Sequence, residues 1–542
     1  MVWKSDSRIT NCLGFALYRE HANGKQDVVE TWVGFGTGPP VPPGTHKPST
    51  EWPIQKFMWS DYLATPRETL RYRVVPMVGT EDRLEPEAAL GSDWSDPVKV
   101  ASTPGPISAY FNRGIVAAQW LSRQLGPAKG TRVRQKLGKI IATPNDKTRN
   151  FLSGALRAEM VALLAEANRA RVTLYGALYE LNDPELMRAL AAFGKRAHVL
   201  LANGTHKTPK GNVDENAAAR RTLRSRVNLS NRMVTGNHLA HNKFLVLCDG
   251  HTRPLKVWTG STNWTETGLC TQANNGILIE SRQLATFYKQ EWDRLEAAGD
   301  GYPSSLASSN VRPGTASAGA ARLTAWFAPT LRLVDLAFAR RLIQGAGQGV
   351  LFLFFNPGPK GTLLNDILAL DADRLYIHGV ANQDPGGKNK PVIRLVHRGK
   401  VVKAPPEVAL PAAIDKRLRY WLPEMAGYSM VRVHSKVVVV DPFGDHPVVM
   451  TGSHNLGPKA STSNDDNLVI VEHAPDLAAQ YAVNIMTIYN QYRWRYFRTQ
   501  RKDPTGWDGL ENTDTWQDPY LRAGSDRQRE LDFWLGRLRA NP

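Results

Sequence analysis

Cysteine is scarce in this chain, and long apolar runs are missing from it. The 542 residues include only three cysteines, Cys12, Cys248 and Cys270, a number too small and too odd for a disulfide framework. A reducing compartment is therefore favoured. No run approaches the roughly 18 apolar residues that a membrane span needs. The first ten residues, MVWKSDSRIT, lack the basic-then-apolar pattern of a signal peptide. The sequence predicts a cytoplasmic protein and leaves export without a cleaved signal open.

Acidic residues are also in short supply relative to basic ones. Asp and Glu number 50 against 68 Lys and Arg, which gives a net charge of +18 and a pI near 9.7. Such a balance concentrates polyanions, so nucleic acid is the favoured partner and anionic phospholipid is a second one. The alternative is a basic surface that only keeps the protein soluble. The length exceeds what one hydrophobic core can organise, and two to four domains are expected.

The first hundred residues alternate apolar and polar positions with the period of two that is typical of strands. Examples are NCLGFALYRE, DVVETWVGF and LRYRVVPMVG. The pattern predicts a small antiparallel β-sandwich over residues 1–103. Within it, TLRYRVVPMVG followed by SDWSDPVKVAS resembles the last two strands of fibronectin type III domains. The resemblance implies a domain that positions or binds, and it leaves a protein, a glycan or a nucleic acid open as the partner.

From about residue 108 onward, helical spacing alternates with short apolar strands, and the order occurs twice. The sequence predicts one α/β half over 108–298 and a second over 322–500. Between them, the Gly-, Ser-, Pro- and Ala-rich stretch 299–321 has the composition of a linker. Residues 501–542 are predicted to form a C-terminal tail.

Each half carries the same short pattern of polar residues. The first is AHNKFLVLCDGHTRPLKVWTGSTN, residues 240–263, and the second is VRVHSKVVVVDPFGDHPVVMTGSHN, residues 431–455. Both have His-x-Lys followed, after the next strand, by Gly-Ser-x-Asn. The repeated residues are His241, Lys243, Gly260, Ser261 and Asn263 in the first copy, and His434, Lys436, Gly452, Ser453 and Asn455 in the second.

These duplicated motifs resemble the phospholipase D superfamily, whose pattern is H-x-K, four residues, Asp, and then G-S-x-N. The second copy matches at Asp441, whereas the first has Cys248 at that position with Asp249 one residue later. The resemblance implies two α/β halves related by a pseudo-twofold axis, an active site drawn from both, and no cofactor or metal. A monomer would suffice for catalysis. The departure at Cys248 leaves the supporting role of the aspartate open in the first half.

The motif residues suit phosphodiester chemistry on physical grounds as well. Side chains two apart on a strand point to the same face, so each His and Lys project together. Lysine and asparagine can neutralise charge on phosphoryl oxygens, and the serines either assist or form the turn. One histidine can attack phosphorus while the other protonates the leaving oxygen. In the family the N-terminal motif more often supplies the nucleophile, which favours His241 for attack and His434 for acid–base work.

A nucleophilic histidine needs a partner that fixes its tautomer. Such partners often lie downstream of G-S-x-N in the family, and the candidates here are Asn275, Glu280, Asp466 and Glu472. Four further histidines lie near the motifs without the spacing of a zinc site and without cysteine partners. We interpret them as substrate-side or surface groups: His238, His251, His446 and His454.

Residues 489–502, YNQYRWRYFRTQRK, interleave aromatic and basic residues. Arginines for phosphates and aromatics for bases are what a single-strand binding surface requires. The candidate substrate-binding residues are Arg493, Trp494, Arg495 and Arg498. The alternative is a C-terminal helix whose aromatics face the core while the arginines extend into solvent.

The sequence therefore predicts a metal-independent nuclease that acts through a phosphohistidine. The first alternative is a phospholipase D or phosphatidyltransferase, for which we find no long apolar loop that could enter a bilayer. The second is a non-catalytic nucleic-acid-binding or adaptor protein, against which the complete His, Lys and Asn sets argue.

Overall fold

The structure is a computed structural model whose chain divides into two compact units, Met1–Ser102 with Gln500–Pro542, and Thr103–Thr499. Among the residues that it describes, no helix combines the length and apolar character needed to cross a membrane. The described residues are 1–36, 45–61, 64–65, 67–100, 105–114, 131–204, 207–208, 211–383, 391–402, 433–500 and 509–538.

The N-terminal unit is β-rich. Its main sheet has the order β2-β1-β5-β6, with β7 also paired to β5, and all pairs are antiparallel; β3 and β4 form a separate ladder. Alternation at the start of β5 buries Leu70 and Tyr72, which belong to one apolar cluster with Leu17 of β1. The fibronectin type III resemblance stays a prediction. The strands are β1 (Cys12–His21), β2 (Gln26–Val28), β3 (Glu30–Thr31), β4 (Lys47–Pro48), β5 (Thr69–Thr80), β6 (Arg83–Pro86) and β7 (Val98–Lys99).

The first α/β half is built on a seven-stranded sheet of order β13-β10-β9-β14-β15-β16-β8. Its central strands β9 and β14 are buried at every position, as their continuous apolar sequences predict. β11 and β12 form a separate hairpin. The strands are β8 (Ile107–Phe111), β9 (Thr173–Leu178), β10 (Ala197–Ala202), β11 (Lys207–Thr208), β12 (Gly211–Asn212), β13 (Asn228–Arg232), β14 (Lys243–Cys248), β15 (Pro254–Gly260) and β16 (Asn275–Ile279).

Where the first half is described, six helices accompany this sheet. The third begins at Pro184, and Asp183, not the asparagine before it, accepts hydrogen bonds from the first-turn N–H groups. The helices are α1 (Thr131–Ala142), α2 (Lys147–Arg169), α3 (Pro184–Ala191), α4 (Ala217–Leu223), α5 (Glu266–Cys270) and α6 (Arg282–Ala298).

The second half has a nine-stranded sheet of order β17-β18-β25-β24-β23-β19-β20-β21-β22. Its strands are β17 (Gly314–Ala318), β18 (Ala321–Ala328), β19 (Gly349–Phe354), β20 (Tyr376–Gln383), β21 (Pro391–His397), β22 (Lys400–Val402), β23 (Val437–Val440), β24 (Val448–Gly452) and β25 (Asp466–Glu472). The described residues of this part form five helices: α7 (Ser304–Ser309), α8 (Val334–Gln344), α9 (Leu363–Leu368), α10 (Pro458–Ser463) and α11 (Pro475–Gln500).

The stretch predicted as a linker, 299–321, is regular structure instead. It contains helix α7 and strand β17, and β17 pairs with β18 at the edge of the second sheet. The cause is its alternation of small residues, which buries Ala316 and Ala318 while the residues between them stay exposed. Small-residue composition predicted flexibility here, but the period of two decided the structure.

The C-terminal residues predicted as a tail pack into the N-terminal unit. They form a 3-10 turn at Asp514–Gln517 and the helices α12 (Asp518–Leu521) and α13 (Asp526–Trp534). The Trp516 indole donates to the carbonyl of Cys12 at 2.8 Å, and its ring lies edge-on to Phe15 with 5.8 Å between centroids. Burial of a large aromatic side chain anchors this segment to β1.

Matched hydrogen bonds relate the two α/β halves. Asn275 of the first half donates its amide to Thr451 of the second at 2.9 Å. Asn467 of the second half accepts from Thr259 of the first at 2.7 Å. Because each pair joins equivalent positions in opposite directions, the halves meet about a pseudo-twofold axis.

Candidate active site

Both His-x-Lys motifs lie at the start of a central strand, β14 in the first half and β23 in the second. His241 and His434 are each 4% exposed, and Lys243 and Lys436 are buried still more deeply. Each lysine Nζ donates to the backbone oxygen of its own motif's histidine at 2.6 Å. Each ammonium is therefore held beside its histidine, as the i and i+2 spacing predicts.

An aromatic ring covers each His and Lys pair. Tyr179 follows β9 directly, with its centroid 4.7 Å from the His241 ring and 4.6 Å from Lys243 Nζ. Phe355 follows β19 in the same way, 4.4 Å from the His434 ring and 4.5 Å from Lys436 Nζ. These contacts are of cation–π type. The sequence analysis missed both rings, although each ends the strand that pairs with a His-x-Lys strand.

The backbone before each motif pairs with a loop of the other half. Leu239 receives a hydrogen bond from Asp465 N at 2.8 Å, and its own N–H donates to the Ser463 carbonyl. In the second half the N–H groups of His434 and Ser435 both donate to the Ala273 carbonyl at 2.9 Å. The loop that follows each Gly-Ser-x-Asn motif is thereby fixed against the histidine of the opposite half.

This exchange gives each histidine a partner from the other half. Nδ1 of His241 lies 2.8 Å from Oδ1 of Asp466, and Nδ1 of His434 lies 2.9 Å from Oδ1 of Asn274. Asp466 was one of the four candidate partners; Asn274 was missed. The two positions correspond, because each follows its motif serine by 13 residues.

The two motif serines link the histidine partners to their own halves. Ser261 Oγ donates to Asn274 Oδ1 at 2.7 Å, and Ser453 Oγ donates to Asp466 Oδ1 at 2.6 Å. Each Oγ also accepts a backbone N–H at 3.0 Å. The hydroxyls are thus committed to holding these loops, in agreement with the turn-forming alternative and not with direct assistance to a reacting phosphate.

The surroundings of His241 favour its neutral form. Burial, followed by the charge of Lys243, lowers its pKa to about 4, although Asp466 acts in the opposite direction. Burial would raise the pKa of Asp466, but the charge and hydrogen bond of His241 outweigh it and lower that pKa. At neutral pH an ionised Asp466 accepts the Nδ1–H of a neutral imidazole, which leaves Nε2 with a free lone pair.

Neither lysine has an acidic partner at salt-bridge distance among the described residues. Burial lowers the pKa of both, and Lys243 lowers that of Lys436 further. Burying two ammonium groups near each other is unfavourable unless an anion joins them. The arrangement therefore favours a bound anion between the halves.

The motif asparagines differ in their surroundings. Asn263 Nδ2 donates to Glu180 Oε2 at 2.6 Å, while its Oδ1 has no hydrogen-bond partner among the described residues. The Oδ1 of Asn455 in the second half is likewise without a partner there. Sequence reasoning missed Glu180, whose only signal was its position two residues after a buried strand.

Several predicted supporting residues lie away from this site. Asp441 accepts three backbone N–H groups, from Gly347, Gln348 and Gly349, at 2.7–2.8 Å, so it fixes the turn before β19. Asp249 is engaged with Arg253 at 2.7 Å. Three of the four candidate partners do not contact a motif histidine: Glu280 pairs with Lys256, Glu472 pairs with Arg322, and Asn275 joins the halves.

The four additional histidines divide into three kinds. His251 and His446 are exposed, in agreement with the sequence interpretation. His238 stacks on Tyr302 with 3.8 Å between centroids. For His454 the interpretation was wrong, because its ring is buried against Asp335 at 3.1 Å. Over the described part of the chain, no group of three or more His, Cys, Asp or Glu side chains could hold a metal ion.

Residues 489–500 of the basic aromatic stretch form the end of α11, as the helical alternative predicts. Tyr489 and Tyr492 are buried, so neither ring is available to stack on a base. Arg493 is half-buried. The side chains of three further candidates lie outside the described residues: Trp494, Arg495 and Arg498.

The sequence model of the cardiolipin synthase, phospholipase D-like domain family matches residues 163–296 and 388–488. These segments contain both duplicated motifs. The chain is therefore phospholipase D-like in both of its halves. The match supports a phosphodiesterase that acts by hydrolysis or by transfer.

Solved structures similar to this phospholipase D-like chain include three different proteins. A phosphatidylserine synthase from Haemophilus influenzae is 15% identical, with 70% of this chain and 93% of the other covered and a TM-score of 0.41. Nuc from Salmonella typhimurium is 22% identical, with 27% of this chain and 91% of the other covered and a TM-score of 0.21. A polyphosphate kinase from Porphyromonas gingivalis is 13% identical, with 60% of this chain and 44% of the other covered and a TM-score of 0.38. A search of curated proteins gives no match.

Proposed function

We propose that this protein is a metal-independent nuclease that acts through a phosphohistidine on His241. The observation that carries the proposal is that two buried lysines lie beside two buried histidines, of which only one has a carboxylate at Nδ1. Within the described part of the chain neither lysine has an acidic side chain at salt-bridge distance. A phosphodiester supplies the anion that the lysines lack, and a reacting phosphorus requires both histidines.

The first step uses the free Nε2 of His241. Its lone pair attacks phosphorus, a P–N bond forms, and the bond from phosphorus to the leaving oxygen breaks. His434, protonated at Nε2, gives that proton to the leaving oxygen. The ionised Asp466 stabilises the positive charge that develops on His241 as it becomes phosphorylated.

The second step returns the enzyme to its starting state. The now neutral His434 takes a proton from water while the water oxygen attacks phosphorus and the P–N bond breaks. Lys243 and Lys436 stabilise the charge on the phosphoryl oxygens in both steps, with Asn263 and Asn455 as further donors. An alcohol in place of water would complete a transfer instead of a hydrolysis.

Nucleic acid as the substrate rests on charge and on the exposed surface. The net charge of +18 favours a polyanion over a single headgroup. In the described part of Thr103–Thr499, the large apolar side chains that are exposed lie singly on four separate segments: Val213, Val311, Leu331 and Val483. Such scattering offers little for insertion into a bilayer.

A phospholipid substrate is the second candidate. It is favoured by the description of the matching family, which is that of cardiolipin synthase. The same two-step chemistry would then transfer a phosphatidyl group to an alcohol. Headgroup release from vesicles distinguishes this function from strand cleavage.

In the deciding experiment the purified protein is incubated, in the presence and in the absence of EDTA, with one substrate at a time. The substrates are single-stranded DNA, duplex DNA, RNA and vesicles of phosphatidylcholine or phosphatidylglycerol. A His434→Ala variant is the control. Strand cleavage that survives chelation and disappears in the variant is expected. Headgroup release without strand cleavage would assign the protein to the lipid branch, and loss of all activity on chelation would contradict the metal-independent mechanism.

A further inference from the structure

The carboxyl of Glu180 lies in the active site and has no counterpart in the second half. Glu180 follows β9 by two residues and accepts a hydrogen bond from Asn263 Nδ2 at 2.6 Å. The corresponding position, two residues after β19, is Asn356, which is exposed. At this position, which is described in both halves, the first half has an acidic side chain and the second half does not.

Glu180 uses a donor that the proposed chemistry assigns to the substrate. Asn263 is 5% exposed, and its Oδ1 has no partner among the described residues. Its buried amide is thus oriented by Glu180. Lys243, the nearest cation, attracts the same carboxylate. A carboxylate oxygen and a phosphoryl oxygen compete for these two groups, and two anions in such a confined place repel each other.

The charged groups around Glu180 come from three elements. The carboxyl of Glu215, just before α4, forms a hydrogen bond with that of Glu180, while Lys243 on β14 and Lys436 before β23 are basic groups whose pKa values burial lowers. Burial, and then the charge of Glu215, raises the pKa of Glu180 to about 7, although Lys243 and Asn263 act in the opposite direction. The carboxyl is thus close to half-protonated at neutral pH before any anion arrives.

We propose that Glu180 is a further residue of the phosphate-binding site and that its carboxyl takes up a proton when a phosphodiester anion binds. Without substrate, this carboxyl is partly ionised. The inference rests on the proposed phosphodiesterase chemistry, but not on the preference for nucleic acid. Glu180 serves as a positioning and specificity residue, because it sets the affinity for the anion and exchanges no proton with the reacting atoms.

Substrate affinity then depends on pH in a defined direction. As pH rises through about 7, Glu180 loses its proton and the substrate must bind against a carboxylate, so KM increases. A Glu180→Gln variant keeps an oxygen that accepts from Asn263 and removes the charge. Glu215→Gln removes the carboxyl that favours protonation of Glu180, so the rise in KM should move to lower pH.

The test uses bis(4-nitrophenyl) phosphate. This small diester is neither a nucleic acid nor a lipid, so the result does not depend on which of the two the protein prefers. KM and kcat are measured from pH 5.5 to 8.5 for the wild type, Glu180→Gln and Glu215→Gln. In the wild type, KM should rise roughly tenfold across this range, as a shift of about one pKa unit in Glu180 on binding implies. In Glu180→Gln most of this rise in KM should disappear, because the titrating carboxyl is absent.

An unchanged KM profile in Glu180→Gln would overturn the proposal and assign the pH dependence to Lys243. A profile that Glu215→Gln does not move would overturn it as well, because a merely structural Glu180 is insensitive to that neighbour. If no diester is hydrolysed, the proposed function fails separately. Calorimetry with dimethyl phosphate in two buffers of different ionisation enthalpy then decides on Glu180: proton uptake that disappears in Glu180→Gln supports the proposal, and no binding or no uptake contradicts it.

Discussion

Nδ1 of His241 lies 2.8 Å from a carboxylate oxygen of Asp466, whereas Nδ1 of His434 lies 2.9 Å from the amide oxygen of Asn274. The two imidazoles occupy equivalent positions but differ in the charge behind them. A carboxylate stabilises a positive, substituted imidazole, while an amide only orients the Nδ1–H. The covalent intermediate is therefore expected on His241, and proton transfer on His434.

Replacing each histidine in turn should separate the two steps. In His434→Gln, bis(4-nitrophenyl) phosphate has a leaving group that needs no acid, so His241 should still be phosphorylated, but the intermediate should persist for lack of a base. One nitrophenolate per site would appear in a burst, with the added mass on the peptide that contains His241. His241→Gln should give neither the burst of nitrophenolate nor the added mass. A burst in His241→Gln with none in His434→Gln would reverse the assignment.

Asp466→Asn should lower kcat by a factor on the order of a hundred or more, because a neutral amide does not stabilise the positive charge that develops on His241. Asn274→Asp is the matched variant. It should have a much smaller effect on kcat, since His434 gains a carboxylate without losing its orienting contact. The comparison is made on the same diester, with thermal unfolding measured to exclude misfolding. Equal losses in both variants would argue against distinct roles for the histidines.

Asp441→Ala should destabilise the protein while leaving kcat per folded molecule within a few-fold. Asp441 accepts from three backbone N–H groups in front of β19, and leaving them unsatisfied should cost about 3 kcal/mol. Urea unfolding measures the loss, and burst-normalised turnover measures activity. In the first half the corresponding Cys248 is fully buried, so Cys248→Ala should have the smaller effect on unfolding. A selective loss of kcat in Asp441→Ala would place this aspartate in the chemistry.

The buried ion pair of Arg232 and Asp465 should be required for stability as a pair. Arg232 Nε donates to Asp465 at 2.8 Å, and both side chains are 1% exposed. Removing one partner leaves an uncompensated charge, at a cost of roughly 3–5 kcal/mol. The double variant Arg232→Met with Asp465→Asn should be less destabilised than the sum of the single variants. Additive losses in this double-mutant cycle would contradict a direct coupling.

The buried, neutral state of His241 should make stability sensitive to acid. Its folded pKa, about 4, is below the unfolded value of about 6.5, so the folded state binds fewer protons. The contribution is present above pH 6.5 and is lost as pH falls toward 4. Between pH 7 and 5 the wild type should lose roughly 2 kcal/mol more than His241→Gln, measured by urea unfolding. Groups with raised pKa values, such as Asp465, remain in both proteins and cancel from the comparison.

The motifs were predictable from sequence because their spacing is local. His241 and Lys243 share a face by the geometry of one strand, and the duplication indicated two sets. The partners of the histidines were harder to predict from the sequence. Asp466 and Asn274 contact histidines that are more than 150 residues away, across the interface between the halves. Tyr179 and Glu180 carry no motif at all, and only the pairing of β9 with β14 brings them to the site. The prediction of a linker at 299–321 was wrong although the deciding pattern was local. The composition of this stretch was given more weight than its period of two.

The exchanged partners also determine what a fragment of this protein could do. A polypeptide that ended before β17 would contain His241 without Asp466, and a polypeptide that began there would contain His434 without Asn274. Each piece would display a complete motif and still lack the residue that orients its histidine. Turnover would return only when the two pieces were mixed and reassembled, so the smallest autonomous catalyst in this chain is the pair of halves.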